Sequence, residues 1–458
     1  MKPFLFSLLL ILVSKSYSQS PQAWIEKNVI PISTTSQYVD NSKEYEPLKQ
    51  MLKGKEIVLL GEEDHVFATS FESKTKLIKF LHDQMGFTVL AFEYDLYSLA
   101  DAYDEAVRIN KSSEISNTLY PFWGKVKSTE SLYPYILSTI KSGSKPLKVI
   151  GFDNQTAPRV ALWDSVHAYL QKRNSIILQY DYYQKYLELF KKMYSNLYQT
   201  TWKEKDKLLL FNVMDDILVE MDLDPKLTKQ DKILKQALFN FKQNINFMWL
   251  DAPSNYHMFG QPKPPDSVYG FAASRASMGS LNRRDKMMAE NIRWIKETLY
   301  PGEKIIIWAA SEHTMYNRHL AQFHNLLVDT SFAFNSRFTY NKGYKTMGTY
   351  LKEFFGEKCY SLGFTTLSGT VNYDRTGNNN YLGEITIADH SLEAYLAKLK
   401  TPNGILNLDK KQLPKEISDS TLFHNIIGGN PNISGNISSF FDGIYFIRKM
   451  TPLEFIKK

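Results

Sequence analysis

The sequence predicts an α/β fold with three layers, α/β/α, built on a mostly parallel sheet. Four short apolar runs, at residues 56–65, 87–95, 147–155 and 304–313, are each bounded by turn or polar residues. Their apolar residues are continuous and do not alternate, which is typical of strands buried on both faces. Helical patterns lie between the runs. A succession of strand, helix and strand indicates parallel strands joined by right-handed connections.

The helical pattern after the first run carries its own start and stop signals. In TSFESKTKLIKFLHDQMGF, Thr69 fits an N-cap and Glu72 fits the third helical position of a capping box. Gly86 fits the end of this helix, directly before the second strand. The segment NRRDKMMAENIRWIKETLYPGEK, residues 282–304, predicts another helix, which leads into the fourth run.

The middle of the chain has a different texture. Residues from about 156 to 250 are rich in Tyr, Leu and Lys at helical spacing, which predicts an inserted helical cap that could line a ligand pocket. Residues 258–271 fit a loop that returns the chain to the sheet. Beyond residue 320, runs at 327–336, 359–369 and 440–450 indicate further strands of undefined order.

The first 18 residues have the layout of a secretory signal peptide. Lys2 precedes an apolar run at 4–13 and the small residues Ser16 and Ser18, and the run is too short to span a bilayer. We therefore expect an exported protein, periplasmic or secreted, with no stable membrane insertion. Residues 19–458 are then expected to form one domain.

Composition narrows the class of partner and of site. Of the 458 residues, 43% are hydrophobic, which is enough for a large core. The formal charge of +7 is mild for this length and its lysines are dispersed, so we expect no nucleic-acid partner. The single Cys359 excludes an internal disulfide and any multi-cysteine metal site. The sequence indicates no cofactor and does not define an oligomeric state.

Acidic residues and histidines follow the apolar runs where each predicted strand ends. The first run ends at Glu62 and His65, the second at Glu93, the third at Asp153 and the fourth at His313. In open α/β sheets, ligands bind beyond the carboxyl ends of the strands. We therefore expect these side chains to converge on one crevice.

His65 is the first candidate for chemistry, because a histidine held by Glu62 or Glu93 could act as a general base on water. The alternative is a structural histidine at the sheet edge. Glu63 and Asp64, between Glu62 and His65, are expected to face solvent or to cap the next turn.

Arg284 and Asp285 fall at the start of a predicted helix, where an arginine is unfavourable unless it faces a ligand or a carboxylate. No GxSxG, Walker A, GxGxxG or HExxH motif occurs in a suitable place, so a serine hydrolase elbow and the common nucleotide loops are not indicated. A metal site formed by His65, His313 and carboxylates stays open.

Five segments in order resemble the erythromycin esterase family: LLGEEDH with FESKTKLIKFLHDQMGFTVLAFE, WG after Phe122, GFDNQ, RDKMMAEN and IIIWAASEH. The resemblance covers about residues 50–450. It implies a three-layer α/β/α fold with an added helical part, and hydrolysis of a macrolide lactone by water activated on a histidine, without a serine nucleophile.

Carried over motif by motif, the resemblance implies that Glu62 and His65 form the GExxH motif, with Glu93 and His313 as further catalytic residues. The RD motif falls on Arg284 and Asp285. The expected substrate-binding residues are then Arg284, Glu72, Asp153 and Trp123.

Two departures from the family pattern bear on the substrate. Val66 stands where close relatives of the macrolide enzymes have glycine, and Ala310-Ser311 stands where they have a His-Asn pair. Residues three apart in an extended strand point to opposite sides, so Ala310 can share a site with His313 only if the chain turns after Trp308. We expect that turn, because the apolar run stops there. The missing imidazole leaves it open whether macrolides are accepted.

The sequence thus predicts an exported hydrolase of a lactone or other carboxylic ester, with His65 as base and a capacity to confer macrolide resistance. Its expected partner is a small-molecule ester or lactone. Two alternatives remain: a metal-dependent hydrolase on the same scaffold, and a catalytically inactive ligand-binding homologue.

Overall fold

The computed structural model describes residues 20–33, 43–141, 145–155, 161–195, 203–250, 282–323, 345–372, 382–408, 413–419, 421–424 and 433–457. The predicted signal peptide, the returning loop at 258–271 and the run at 327–336 lie outside the described residues.

The described residues contain thirteen strands. They are β1 Val29–Ile32, β2 Ile57–Glu62, β3 Phe87–Asp95, β4 Lys148–Asp153, β5 Lys304–Ala310, β6 Gln322–Phe323, β7 Cys359–Thr366, β8 Thr370–Asn372, β9 Leu382–Glu384, β10 Asn403–Asn407, β11 Phe423–His424, β12 Ile433–Ser434 and β13 Gly443–Ile447. Eight of those described form one sheet in the order β1-β10-β13-β7-β2-β5-β3-β4. The pairings from β13 to β4 are parallel, and β1 and β10 are antiparallel to their neighbours.

Helices surround this sheet. They are α1 Pro21–Asn28, α2 Glu46–Met51, α3 Ala68–Met85, α4 Leu96–Ile109, α5 Ser113–Thr118, α6 Pro121–Gly124, α7 Lys127–Glu130, α8 Leu132–Lys141, α9 Leu162–Arg173, α10 Tyr183–Ser195, α11 Glu204–Leu223, α12 Lys229–Leu250, α13 at 282–294, α14 Ser311–Thr314, α15 Met347–Phe355, α16 Leu392–Ala397 and α17 Lys415–Ser418. One π-helical turn, Ile295–Leu299, extends α13.

The two faces of the sheet are covered by different helices. Leu60 and Phe92 point to the face where α3 contributes Phe71 and Ile78. Leu59 and Ala91, their neighbours along the strands, belong to the core on the opposite face, together with residues of α13 and α15. Because successive side chains of a strand point to opposite faces, strands that are apolar throughout require this double covering. The predicted three-layer α/β/α fold is confirmed.

Helix α3 ends as predicted but does not begin as predicted. Gly86 closes it in the left-handed conformation, with φ of 70°. The helix begins at Ala68, with Phe67 at the N-cap and no side-chain cap, so the capping box of Thr69 and Glu72 is wrong. Thr69 lies inside the first turn, and its hydroxyl contacts Thr451 instead.

Helices α9 to α12 pack around a hydrophobic cluster of their own, which includes Tyr186, Phe190, Met214 and Phe241. Two hydrogen bonds join α12 to the end of β4: the Asn154 side chain donates to Asn244 Oδ1 at 2.5 Å, and the Asn244 side chain donates to the backbone carbonyl of Asn154. Within the described ranges, no helix is both long and apolar enough to cross a membrane.

Candidate active site

A cavity of about 430 Å³ opens at the carboxyl ends of β2, β3 and β5, within the size range of small-molecule sites. Its charged and titratable lining residues are Glu63, Asp64, His65, Glu93, Tyr120, Arg284, Glu312 and His313. Parallel strands end at the same edge of a sheet, and this is why groups far apart in the chain meet here.

His65 lies in the short connection between β2 and α3, and its ring is held on three sides. Its Nδ1 is 3.2 Å from Glu62 Oε1. The ring stacks on Phe122, with centroids 5.0 Å apart, and the ring of Trp123 meets it edge-on at 4.9 Å. When Nδ1 donates its hydrogen to Glu62, Nε2 carries no hydrogen and can accept a proton.

Glu62 is fully buried and forms an ion pair that sequence reasoning missed. Its second oxygen, Oε2, contacts the ammonium of Lys74, which is also fully buried. Lys74 Nζ also donates to the carbonyl of Ala309 at 3.1 Å and lies 4.8 Å from the ring centroid of Trp308. Burial lowers the pKa of the Lys74 ammonium, and the negative charge of Glu93 opposes that shift. The pair fixes the carboxylate that orients His65.

Glu63 does not face solvent, contrary to prediction, because its side chain is 2% exposed. Its Oε1 accepts a hydrogen bond from the Thr366 hydroxyl at 2.6 Å, and its Oε2 accepts one from the Ser70 hydroxyl at 2.7 Å. Burial raises the pKa of Glu63 to about 7, although both hydroxyl bonds lower it. Asp64 Oδ1 accepts a hydrogen bond from the backbone N–H of His65 at 2.6 Å.

Arg284 joins two strand ends through their carboxylates. Its Nε and Nη2 donate to the two oxygens of Asp153 at 3.1 and 2.6 Å, and Nη2 also donates to Glu93 Oε1 at 3.0 Å. Against the effect of burial, His313, His65 and Arg284 hold the pKa of Glu93 well below its usual range. Glu93 is therefore ionised at neutral pH.

His313, in the short helix α14, is placed between two carboxylates. Its Nδ1 lies 3.0 Å from Asp285 Oδ1, and its Nε2 lies 3.3 Å from Glu93 Oε1. Burial alone would lower the pKa of His313, but Asp285 and Glu93 raise it well above its usual value. The ring is consequently an imidazolium at neutral pH, and Asp285 is its positioning residue.

The fourth strand is longer than predicted. Strand β5 continues to Ala310, and the chain turns there into α14, two residues beyond the expected turn after Trp308. The backbone N–H of Ala310 donates to Glu93 Oε2 at 3.0 Å, which holds the strand end in place. Ala310 and His313 both line the cavity, as the predicted sharing of one site requires.

Three aromatic side chains, Tyr120, Phe122 and Trp123, also line the cavity. Phe122 stacks on Tyr120 at 5.3 Å as well as on His65, and Trp123 is 1% exposed. Trp123, predicted to bind substrate, borders the cavity and packs against the edge of His65. Its observed contact is with the histidine.

Besides the buried Glu62, three predicted contributors do not line the described cavity: Glu72, Asp153 and the helical cap. Glu72 lies on α3, where the charged neighbours that act on its carboxyl are Lys76 and Glu454. Helices α9 to α12 supply no residue to the described lining, although Gln155, which directly follows the β4 end, does. Asp153 acts through Arg284 and is itself 1% exposed.

Among the residues that the structure describes, no group of three or more His, Cys, Asp or Glu side chains is arranged to hold a metal ion. His65 and His313, the two imidazoles of the predicted ligand set, are each bonded to carboxylates, and Arg284 lies 3.3 Å from His313 Nε2. A guanidinium at that distance opposes the binding of a second cation.

The sequence model of the family described as Erythromycin esterase matches residues 82–450. Putative hydrolase YbfO of Bacillus subtilis (strain 168) is 26% identical over 477 residues, which cover 98% of this chain and 97% of that protein. Erythromycin esterase type II of Escherichia coli is 21% identical over 363 residues, which cover 76% of this chain and 77% of that protein.

Solved structures share the fold at lower identity. A Bacillus cereus protein aligns with a TM-score of 0.70 and 20% identity over 95% of this chain and 98% of its own. A mutant of the erythromycin esterase EreC in its open conformation aligns with a TM-score of 0.60 and 15% identity, over 94% of this chain and 100% of its own. These relatives together support a hydrolase. Because the family model spans most of its length, the chain belongs to the erythromycin esterase family.

Proposed function

We propose that this protein hydrolyses a lactone or another carboxylic ester, using water activated by His65. The observation that carries the proposal is the anchoring of His65 Nδ1 on the buried Glu62, at the wall of a cavity of about 430 Å³. A base must be held in one tautomer, within reach of bound water, to take a proton as water attacks a carbonyl carbon. Lys74 supports this role, because its contact with Glu62 Oε2 holds in place the carboxylate that orients His65.

Two positive groups that line the cavity, Arg284 and the His313 imidazolium, suit the negative charge that develops during the reaction. Attack of water on an ester carbonyl places negative charge on the carbonyl oxygen. Arg284 and the His313 imidazolium both line the cavity, and both are fixed by carboxylates before any substrate binds. We therefore assign them to stabilisation of the oxyanion or to positioning of the carbonyl.

The proposed substrate is a small-molecule ester or lactone, and macrolide lactones belong to the proposal because the family and one relative carry the name erythromycin esterase. Cleavage of a macrolide would confer resistance on the cell. The absence of an imidazole at Ala310 supports a different substrate or a binding-only role, and the experiment below separates these outcomes.

The test is incubation of the purified protein with erythromycin and with a panel of simpler esters, read by mass spectrometry for the gain of one water. Hydrolysis of any of them supports the proposal. Hydrolysis of erythromycin is the result that would show that macrolide lactones are substrates. Binding without conversion of any compound would support the inactive homologue and overturn the proposal.

The active case is then repeated after exhaustive chelation. Retention of the full rate supports water activated by His65 without a metal. Loss of the rate, restored by added zinc or manganese, would replace this mechanism with the metal-dependent alternative.

We also propose export, from the pattern of residues 1–18, and expect a secreted product that begins near Gln19 when its N-terminus is sequenced.

A further inference from the structure

Glu63 is a buried carboxyl that borders the cavity and that the mechanism above does not use. It directly follows Glu62 at the end of β2, and its side chain extends between α3 and β7. Each of its oxygens accepts one hydroxyl hydrogen bond, from Ser70 and from Thr366. It is 2% exposed and yet belongs to the lining of the cavity.

Among the residues that the structure describes, the side chains that contact Glu63 from neighbouring elements carry no positive charge. Helix α3 presents Ser70 and strand β7 presents Thr366, while the charged group acting on it from its own connection is the like-charged Asp64. The nearby ammonium of Lys74 contacts Glu62 instead.

The arginine that lines the cavity is directed to other carboxylates, because Arg284 contacts Glu93 and Asp153. Arg318, which is not among the described lining residues, contacts Glu312 at 2.8 Å. A buried carboxylate without a cation is disfavoured relative to its neutral acid. Burial accordingly raises the pKa of Glu63 to about 7.

Hydroxyl partners allow Glu63 to hold or release a proton without movement of heavy atoms. A hydroxyl both donates and accepts, so Ser70 or Thr366 can bond the ionised form as a donor and the neutral form as an acceptor. An arginine or lysine in their place would fix the ionised form, because neither has an acceptor. These hydroxyl partners therefore suit a Glu63 carboxyl that gains and loses a proton better than one that stays ionised.

Ester hydrolysis needs a proton donor as well as a base, because the departing alkoxide of an alkyl ester or lactone is strongly basic. Glu93 is held ionised by Arg284 and His313, and Arg284 does not deprotonate in proteins. Glu63 lines the same cavity as His65 and has neutral partners. Resting on the proposed ester hydrolysis, we propose that Glu63 is the general acid that protonates the departing alcohol.

The proton inventory of this step balances. His65 Nε2 takes a proton from water while the water oxygen bonds to the carbonyl carbon. The bond between that carbon and the alcohol oxygen then breaks, and the alcohol oxygen takes the Glu63 proton. The products are one carboxylic acid and one alcohol. Transfer of the proton from the His65 imidazolium through solvent to the Glu63 carboxylate restores both groups.

The test compares Glu63→Gln with wild type on two esters that share an acyl group. One is an alkyl ester, whose alcohol must be protonated, and the other is a nitrophenyl ester, whose alcohol leaves as a stable anion. General acid catalysis typically contributes about 10²–10⁴-fold, so we expect a loss of that size on the alkyl ester and a loss below about tenfold on the nitrophenyl ester. The falling limb of the alkyl-ester pH profile, near pH 7, should disappear.

Glu393→Gln is the matched control, because Glu393 is a fully buried carboxyl bonded to Thr365 and does not line the described cavity. We expect the control to keep the wild-type ratio of the two rates. Thr366→Val is a second variant that keeps the carboxyl: loss of the hydroxyl bond should move the falling limb to higher pH.

An equal loss on both esters with Glu63→Gln, or no loss on the alkyl ester, would overturn the assignment while leaving the proposed hydrolysis intact. Should wild type turn over neither these esters nor the panel above, the proposed function itself fails. Infrared spectra give a readout without turnover: the band of a protonated buried carboxyl should vanish as pH rises through about 7 in wild type and be absent from Glu63→Gln. A wild-type spectrum without that titrating band would also overturn the proposal.

Discussion

Glu93, at the end of β3, contacts Arg284 and His313, whereas Glu63, just beyond the end of β2, accepts hydrogen bonds from two hydroxyls. Both carboxyls are buried and both line the same cavity. Cationic partners lower the pKa of Glu93, and burial raises that of Glu63. Two residues of one type thus take opposite roles, because the charge of their partners differs while their burial does not.

The largest expected effect on stability concerns Arg284, which pairs with the buried carboxylates Glu93 and Asp153. Arg284→Met would leave Glu93 and Asp153 as buried carboxylates without their shared cation. Removal of one partner of a buried pair typically costs about 3–5 kcal/mol, and we expect that loss in the free energy of unfolding measured with denaturant at pH 7.

Arg293→Met is the matched control, since Arg293 lies on the same helix and is 46% exposed in its pair with Glu297. Exposed pairs contribute about 0–1 kcal/mol, so this variant should unfold nearly as wild type does. Similar losses for both variants would show that Arg284 does not act through the buried carboxylates.

Glu63, whose partners are uncharged hydroxyls, predicts a stability that falls as pH rises. The pKa of Glu63 is raised from 4.5 to about 7, so its neutral form is favoured in the folded state. Its contribution to stability is complete below pH 4.5 and is lost as pH rises to 7, a decline of about 3 kcal/mol. Glu63→Gln should remove this decline when denaturation midpoints are compared between pH 4.5 and 8. An unchanged pH dependence would contradict the raised pKa.

Asp285→Asn tests the carboxylate that raises the pKa of His313. The pKa of His313 is raised, so its contribution to stability is complete below pH 6.5 and is lost as pH rises through its folded value. Without the Asp285 charge, we expect the His313 ring to titrate closer to its usual value in NMR spectra, with a loss of about 1.5–3 kcal/mol in stability below pH 6.5. A His313 titration at the same pH in both proteins would contradict this assignment.

The smallest expected effect concerns Ala310, which lines the cavity beside His313. Ala310→His adds one imidazole, and one new hydrogen bond is worth about 0.5–1.5 kcal/mol, which corresponds to about 2–10-fold in rate. We expect that gain on macrolide lactones, or a loss of similar size on the native substrate. If both rates are unchanged in a folded variant, position 310 does not contact substrate and the matching of the fourth motif is wrong.

The sequence predicted those parts of the site that follow from strand ends. Arg284 was predicted separately, from its place at the start of a helix. Continuous apolar runs located β2 to β5, and the rule for open sheets brought His65, Glu93 and His313 to one cavity. For these three residues, their type and their position at the end of a run were sufficient signals. Contacts made by residues on other elements were not visible in that pattern.

Lys74 was missed because it lies among Glu72, Lys76 and Lys79, a pattern that normally marks the solvated face of a helix. In the structure it is fully buried against Glu62. A buried lysine is recognisable only from its partner, which lies in another element. Glu63 was misassigned for a related reason: a run of three acids suggests solvent, while hydroxyls from α3 and β7 enclose the middle one.

The central claim is that His65 activates the water that hydrolyses the ester. The direct measurement is the rate of conversion of the best ester of the panel by His65→Ala, followed by mass spectrometry. His390→Ala, at an exposed histidine outside the described cavity lining, is the control. We predict a loss of about 10²–10⁴-fold for His65→Ala with unchanged unfolding, and the wild-type rate for the control. A folded His65→Ala variant that keeps most of its activity would show that His65 is structural and would contradict the account.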